Sequence, residues 1–169
     1  RSRDNGLTNA IKAINELNTE TSAGRKYIFL PDGVYDLGET VQTTIDAHNI
    51  SIIGQSVDKT IIVTTPDLSL AGLGSAEMLV NNSSNLYLQD LTLKNGLDYY
   101  NASEEGHAPV LYDNGNRTVG KNVRMLSHQS TYYSFNTGMQ SYWESCDIHG
   151  VIDIICGGGE SLDRKSGSA

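Results

Sequence analysis

Apolar residues along this chain recur in two rhythms, and the change between them comes early. Leu7, Ile11, Ile14 and Leu17 fall three or four positions apart, the spacing of one helix face. They predict an amphipathic helix over 6–17, with Asp4 or Asn5 as its cap. Downstream the rhythm shortens to alternation. Tyr27-Ile28-Phe29-Leu30, Ile50-Ser51-Ile52-Ile53, Thr60-Ile61-Ile62-Val63-Thr64, Leu86-Tyr87-Leu88, Leu91-Thr92-Leu93, Val123-Arg124-Met125-Leu126 and Cys146-Asp147-Ile148 read as short strands. Pro31-Asp32-Gly33, Gly54 and Asn95-Gly96 punctuate them.

Several of these pieces repeat one idea. His48-Asn49-Ile50-Ser51-Ile52-Ile53-Gly54, Ser84-Asn85-Leu86-Tyr87-Leu88 and Lys121-Asn122-Val123-Arg124-Met125 each place an Asn before a short alternating strand. Ser145-Cys146-Asp147-Ile148-His149-Gly150 is a degenerate copy, and insertions near 66–80 and 97–106 make the spacing uneven. A repeated strand-and-turn unit that cannot bury its own face must stack on its neighbours. The pattern therefore predicts an all-β chain, a right-handed parallel β-helix (a solenoid) with an N-terminal capping α-helix. A β-sandwich is the competing architecture. It prefers two-residue hairpin turns, for which Asp32-Gly33 and Asn95-Gly96 are the main candidates.

Length and charge narrow the function. The 169 residues suit a single domain over 1–169. Arg1-Ser2-Arg3-Asp4 does not resemble a native start, and the polar tail from Ser161 closes no pattern, so a C-terminal truncation is expected. A formal net charge of -8 argues against nucleic acid, whose phosphates call for clustered Lys and Arg. No apolar run approaches the roughly 18 residues of a membrane span. A neutral or esterified polymer suits this charge better than a strongly anionic one. Cys146 and Cys156 read as thiols rather than a disulfide, and no zinc spacing or other metal cluster is present. Asn49, Asn81, Asn82, Asn101 and Asn116 open glycosylation triplets, as expected by chance in an Asn- and Ser-rich chain.

The candidate chemistry lies in Gly150-Val151-Ile152-Asp153-Ile154-Ile155-Cys156-Gly157-Gly158-Gly159. A carboxylate inside a β-branched run is costly unless it is held or has work to do. The glycines after it let backbone or a ligand approach closely. A structural Asp closing a turn is the plain alternative.

The stretch from Tyr142 to Gly157 resembles the Cys-x-Ile-x-Gly-x-x-Asp-Phe-Ile-Phe-Gly segment of the pectinesterase family. Weaker likenesses precede it in family order: the opening helix, Pro31-Asp32-Gly33-Val34-Tyr35, Ile50-Ser51-Ile52-Ile53-Gly54 with Asp58-Lys59-Thr60-Ile61-Ile62, and Leu86 to Asn95. The resemblance implies hydrolysis of methyl esters of galacturonan. One Asp attacks the carbonyl, a second acts as acid and base, Gln amides hold the oxyanion, and an Arg fixes the nucleophile. Asp153 matches the nucleophile and Gln129 an oxyanion donor. Ser130 stands at the acid/base Asp and His107 at the other Gln; either is expected to organise the proton-transfer water. The Arg has no counterpart, since the surroundings of Arg164 do not match. Tyr133 and His128 are expected to touch substrate, and Trp143 either stacks on a sugar ring or fills the core. A Ser-His-Asp arrangement of Ser130, His107 or His128, and Asp153 lacks the strained nucleophile turn such a triad needs.

The resemblance implies a pectin or related galacturonan partner, no cofactor, a monomer, and a secreted, periplasmic or cell-surface location. Two other readings remain. One is a non-catalytic carbohydrate-binding β-helix that has lost the acid/base Asp. The other is an esterase for a different ester, such as an acetylated sugar.

Overall fold

Helix α1 (Asn5–Leu17) closes one end of the molecule in the computed structural model, which describes residues 5–38, 43–66, 78–98, 100 and 108–168. Leu7 and Ile11 enter the core and Ile14 packs against it, but Leu17 is 71% exposed, so the apolar stripe is one turn shorter than predicted. Asn15 ties the helix to the next layer: its amide donates to Thr44 O at 2.8 Å and accepts from Asp46 N and Ala47 N. Asp4 lies outside the described residues.

The strands follow in chain order: β1 (Lys26–Leu30), β2 (Gly33–Asp36), β3 (Thr43–Ile45), β4 (Ile50–Gly54), β5 (Thr60–Thr64), β6 (Leu79–Asn81), β7 (Tyr87–Asn95), β8 (Leu111–Asp113), β9 (Thr118–Leu126), β10 (Tyr132–Ser134), β11 (Gln140–Glu144), β12 (Asp147–His149), β13 (Ile155–Gly157), β14 (Glu160–Arg164) and β15 (Gly167–Ser168). Pairing between them is parallel. One face of the coil stacks β3, β6, β8, β10 and β13. A second carries β1, β4, β7, β9, β11 and β14, and β2, β5, β12 and β15 pair along its turned-over continuation. This is the right-handed parallel β-helix; the β-sandwich would have required antiparallel hairpins.

The Asn repeat has a conformational cause. Asn49, Asn85 and Asn122 all have positive φ, at 56°, 64° and 51°. Asn tolerates that left-handed corner better than most residues. The corners also stack: Asn85 donates to the Asn49 side chain and Asn122 to Asp90, each at 2.7 Å. Asp90 (φ 53°) splits β7, so 87–89 pair with β4 and 92–95 with β5, while β9 runs beside both halves. Ser145 (φ 54°) holds the corner of the degenerate copy.

Ile28, Ile52, Leu88, Gly120 and Trp143 share one register row. Trp143 is 2% exposed and meets Tyr132 edge-on with ring centroids 4.9 Å apart. Of its two expected roles, the structure selects the core: an indole sealed inside the coil cannot stack on a sugar. Cys146 and Cys156 are free thiols. No helix among the described residues is long and apolar enough to cross a membrane.

Candidate functional site

Two successive rungs bring the predicted residues together. Gln129 and Ile152 form an isolated parallel bridge, so Ser130 and Asp153 follow it side by side. Backbone bonds fix the register: Ser130 N donates to Ile152 O at 3.0 Å, and Tyr132 N to Ile154 O at 3.0 Å. Both residues sit at left-handed corners, Ser130 at φ 55° and Asp153 at φ 48°. Asp153 is exposed.

The sequence placed Asp153 in a covered strand. The structure confines the strand to β13, which begins two residues later, and leaves the surrounding run open, with Ile152 39% and Ile155 50% exposed. Among the described residues β13 pairs with β10 alone. The glycines play a backbone role. At Gly157 (φ 112°) a Cβ would lie 1.8 Å from Ser134 O, so only glycine allows that approach.

Gln129 is half-buried, and its Oε1 is buried with no hydrogen-bond partner among the described residues. With the oxygen turned inward, the NH2 end of the amide is the one available to a ligand oxygen.

Ser130 departs from expectation. It is fully buried, and its side chain bonds the Cys156 thiol. A hydroxyl beneath the surface cannot hold a proton-transfer water for a substrate outside. Burial pushes the Cys156 thiol above its ordinary range, against the opposing Ser130 hydrogen bond and with the Asp153 charge adding to it. Cys156 is thus a neutral, half-buried wall of the site.

His107 lies outside the described residues. His128 borders the site through its backbone: its carbonyl accepts from Val151 N at 2.8 Å and Ile152 N at 3.2 Å. Its ring meets Tyr100 edge-on, centroids 5.3 Å apart. Arg164 lies on β14 in register with Glu144, on a different face from Gln129 and β10. Among the described residues no group of three or more His, Cys, Asp or Glu side chains could hold a metal ion.

Tyr133 has company that sequence reasoning missed. It is in register with Tyr112 on one side and Cys156 on the other. The Tyr112 and Tyr133 rings stack at 5.1 Å and 6°, and Phe135, 49% exposed, tilts against both. The likeness of Leu111-Tyr112-Asp113 to Tyr132-Tyr133-Ser134 was the available signal.

Fold and site together define a parallel β-helix carrying an exposed carboxylate, a neighbouring carboxamide and an aromatic shelf on its outer face. The pectinesterase family model matches residues 3–165, and the chain belongs to the pectinesterase family. A putative pectinesterase/pectinesterase inhibitor of Arabidopsis thaliana is 30% identical over 152 residues, 86% of this chain and 30% of that protein. A probable pectinesterase/pectinesterase inhibitor from the same plant is 25% identical over 142 residues, 82% of this chain and 22% of its own length. Among solved structures, pectin methylesterase PemA from Erwinia chrysanthemi superposes with a TM-score of 0.78 at 21% identity, over 99% of this chain and 53% of its own. The Yersinia enterocolitica pectin methylesterase gives 0.78 at 22% identity, over 94% and 53%. The chain thus spans about half the length of these solved structures and under a third of the curated relatives.

Proposed function

We propose that this chain carries a pectin methylesterase-type site, in which Asp153 attacks the methyl ester carbonyl of a galacturonan. The observation that carries the reading is the pairing of exposed Asp153 with Gln129 on adjacent rungs. Attack by the carboxylate forms an acyl-enzyme and expels methoxide, which leaves as methanol once protonated; water then releases the free uronate and restores Asp153. The Gln129 amide is placed to donate to the oxyanion. The Tyr112–Tyr133 shelf offers flat apolar surface for pyranose rings. Proton delivery falls to His107, a neutral-pH donor and acceptor. A polysaccharide substrate fits a secreted, periplasmic or cell-surface location.

The test is methanol release from methylated pectin by the chain and by Asp153→Asn. Loss of turnover with unchanged folding supports the assignment; equal rates would sink it.

The burial of Ser130 where the family carries its acid/base Asp favours a second reading, a galacturonan-binding β-helix without turnover. Ser130→Asp separates the two. Gained turnover in the variant, from an inactive parent, identifies a decayed esterase site.

A further inference from the structure

The outer surface of the second face carries a row that the chemistry at Asp153 does not use. Tyr27, Ser51, Tyr87, Val119, Tyr142 and Leu162 are register partners on the stacked strands β1, β4, β7, β9, β11 and β14. Alternation turns this row outward. The neighbours Leu88 and Trp143 are sealed in the core, whereas Tyr27 is 68% exposed, Leu162 is 65% exposed, and Tyr87, Val119 and Tyr142 are half-buried. The aromatic members fall on the first, third and fifth strands of the stack. Neighbouring strands lie about 4.8 Å apart, so the tyrosines recur roughly every 9.6 Å along the coil.

The intervening positions are shaped by polar groups. Arg25 covers Ser51: its Nη1 donates to Ser51 Oγ at 3.0 Å and to Ile50 O at 3.2 Å. The Tyr87 hydroxyl donates to Gln89 Oε1 at 2.6 Å, and Gln89 Nε2 to Asp90 Oδ2 at 2.7 Å, which fixes the phenol on the sheet. At Val119 the surface dips into a cavity of about 370 Å³, walled by Val119, Tyr142 and Leu162 and rimmed by Arg117, Gln140 and Glu160. The rim is unspent. Those three residues are exposed, and their side chains make no hydrogen bond or ion pair among the described residues. The outward row on the other side of the tyrosines runs Gln89, Lys121, Glu144 and Arg164.

Polar groups of both signs therefore flank an apolar, aromatic row. A polyanion laid on it would meet Glu144 and Glu160, and like charges brought together count against binding. Sugar hydroxyls, which both donate and accept, suit such a rim. The period narrows the ligand further. In a β-1,4-linked glycan successive pyranose rings are turned over, so every second ring presents the same face. An extended chain of this kind along the coil brings equivalent rings to Tyr27, Tyr87 and Tyr142 in turn. An α-1,4-linked glucan curves away from a straight row.

We propose that this outer face is a binding site for a neutral, extended β-1,4-linked glycan. Its rings lie on Tyr27, Tyr87 and Tyr142, and its hydroxyls meet Arg117, Gln140 and Glu160. The site is on a different sheet from β10 and β13, and it holds a polymer without cleaving it.

Calorimetric titration with three soluble hexamers tests it: a β-1,4-linked glucan, an α-1,4-linked glucan and an unesterified galacturonan. The proteins are the parent chain, Tyr27→Ala, Tyr142→Ala, Tyr142→Phe and Asp153→Asn. The parent is expected to bind the β-1,4 glucan and to discriminate against the α-1,4 glucan. Each alanine change is expected to weaken the β-1,4 glucan about two- to ten-fold, the scale of one aromatic contact. Tyr142→Phe and Asp153→Asn bind it like the parent, and any galacturonan binding is the same in parent and alanine variants. Tyr27 is mostly exposed, so its truncation leaves the fold intact and keeps the comparison valid. Absent β-1,4 glucan binding, equal affinities of parent and both alanine variants, or equal affinities for the two glucans overturn the site. Loss of glucan binding in Asp153→Asn also overturns it, by moving the ligand to the other face. Each of these failures leaves the esterase reading to its own methanol-release test.

Discussion

The buried Oε1 of Gln129, without a hydrogen-bond partner among the described residues, costs the fold something an apolar side chain would not. Leaving a buried acceptor unsatisfied is worth about 1–3 kcal/mol against stability. Gln129→Leu keeps the volume and removes the orphan, so its urea midpoint is expected to equal or exceed the parent's. In the proposed mechanism the same change removes an oxyanion donor, and losing one such donor lowers turnover about 100- to 1,000-fold. Methanol release and urea titration on the same sample check both halves. A variant that is destabilised yet fully active would remove Gln129 from the site. Asp153 stood out as a carboxylate before a glycine run, whereas Gln129 was named only through the family resemblance; their placement on adjacent rungs is a fact of the structure. Ser130 was misread because burial at a left-handed corner depends on the rung beside it.

Among the elements, the helix and β1, β4, β5, β7 and β9 of the second face were readable; β11 and β14 of that face were not, since the tail expected to close no pattern forms β14, and neither were the strands of the site-bearing face. Each of β3, β6, β8, β10 and β13 is three residues long. Alternation needs about four residues to be visible. The Asn corners were readable because the left-handed conformation selects a residue type. The row through Gly120 and Trp143 shows what such corners align. A Cβ on Gly120 would lie 2.2 Å from Trp143 ring carbons, and the ring is pinned by Tyr132 on another face. Gly120→Ala must therefore displace the indole, at a cost of about 1–3 kcal/mol typical of overpacking. Trp143 is the sole tryptophan, so its emission reports directly. A lowered melting temperature with red-shifted emission is expected. An unchanged spectrum and melting point would contradict this packing.

At the scale of the molecule, four groups among the described residues whose ionisation burial opposes, two thiols and two phenols, titrate on the alkaline side. Burial raises Cys146 and Cys156 above their ordinary 9.0, and Tyr132 far above its ordinary 10.0, with the Asp113 carboxylate adding to the last. Partial burial, then the Asp90 and Glu144 charges, raises Tyr87. In each case the folded chain keeps a neutral group that the unfolded chain ionises sooner. Above the unfolded values the unfolded state therefore holds fewer protons than the native state, and stability falls as pH rises. The decline begins near pH 9 with the thiols and steepens from about pH 10 with the tyrosines. It runs with the growing self-repulsion of a chain already at -8. Urea midpoints measured from pH 7 to 11 should be nearly level up to about pH 8.5 and drop beyond, since none of these groups titrates below that point. Replacing both cysteines by serine removes the first part of the fall and moves its onset toward pH 10, where Tyr132 takes over. An onset that stays at pH 9 in the cysteine-free chain would show that the thiols are not what links this solenoid to alkaline pH.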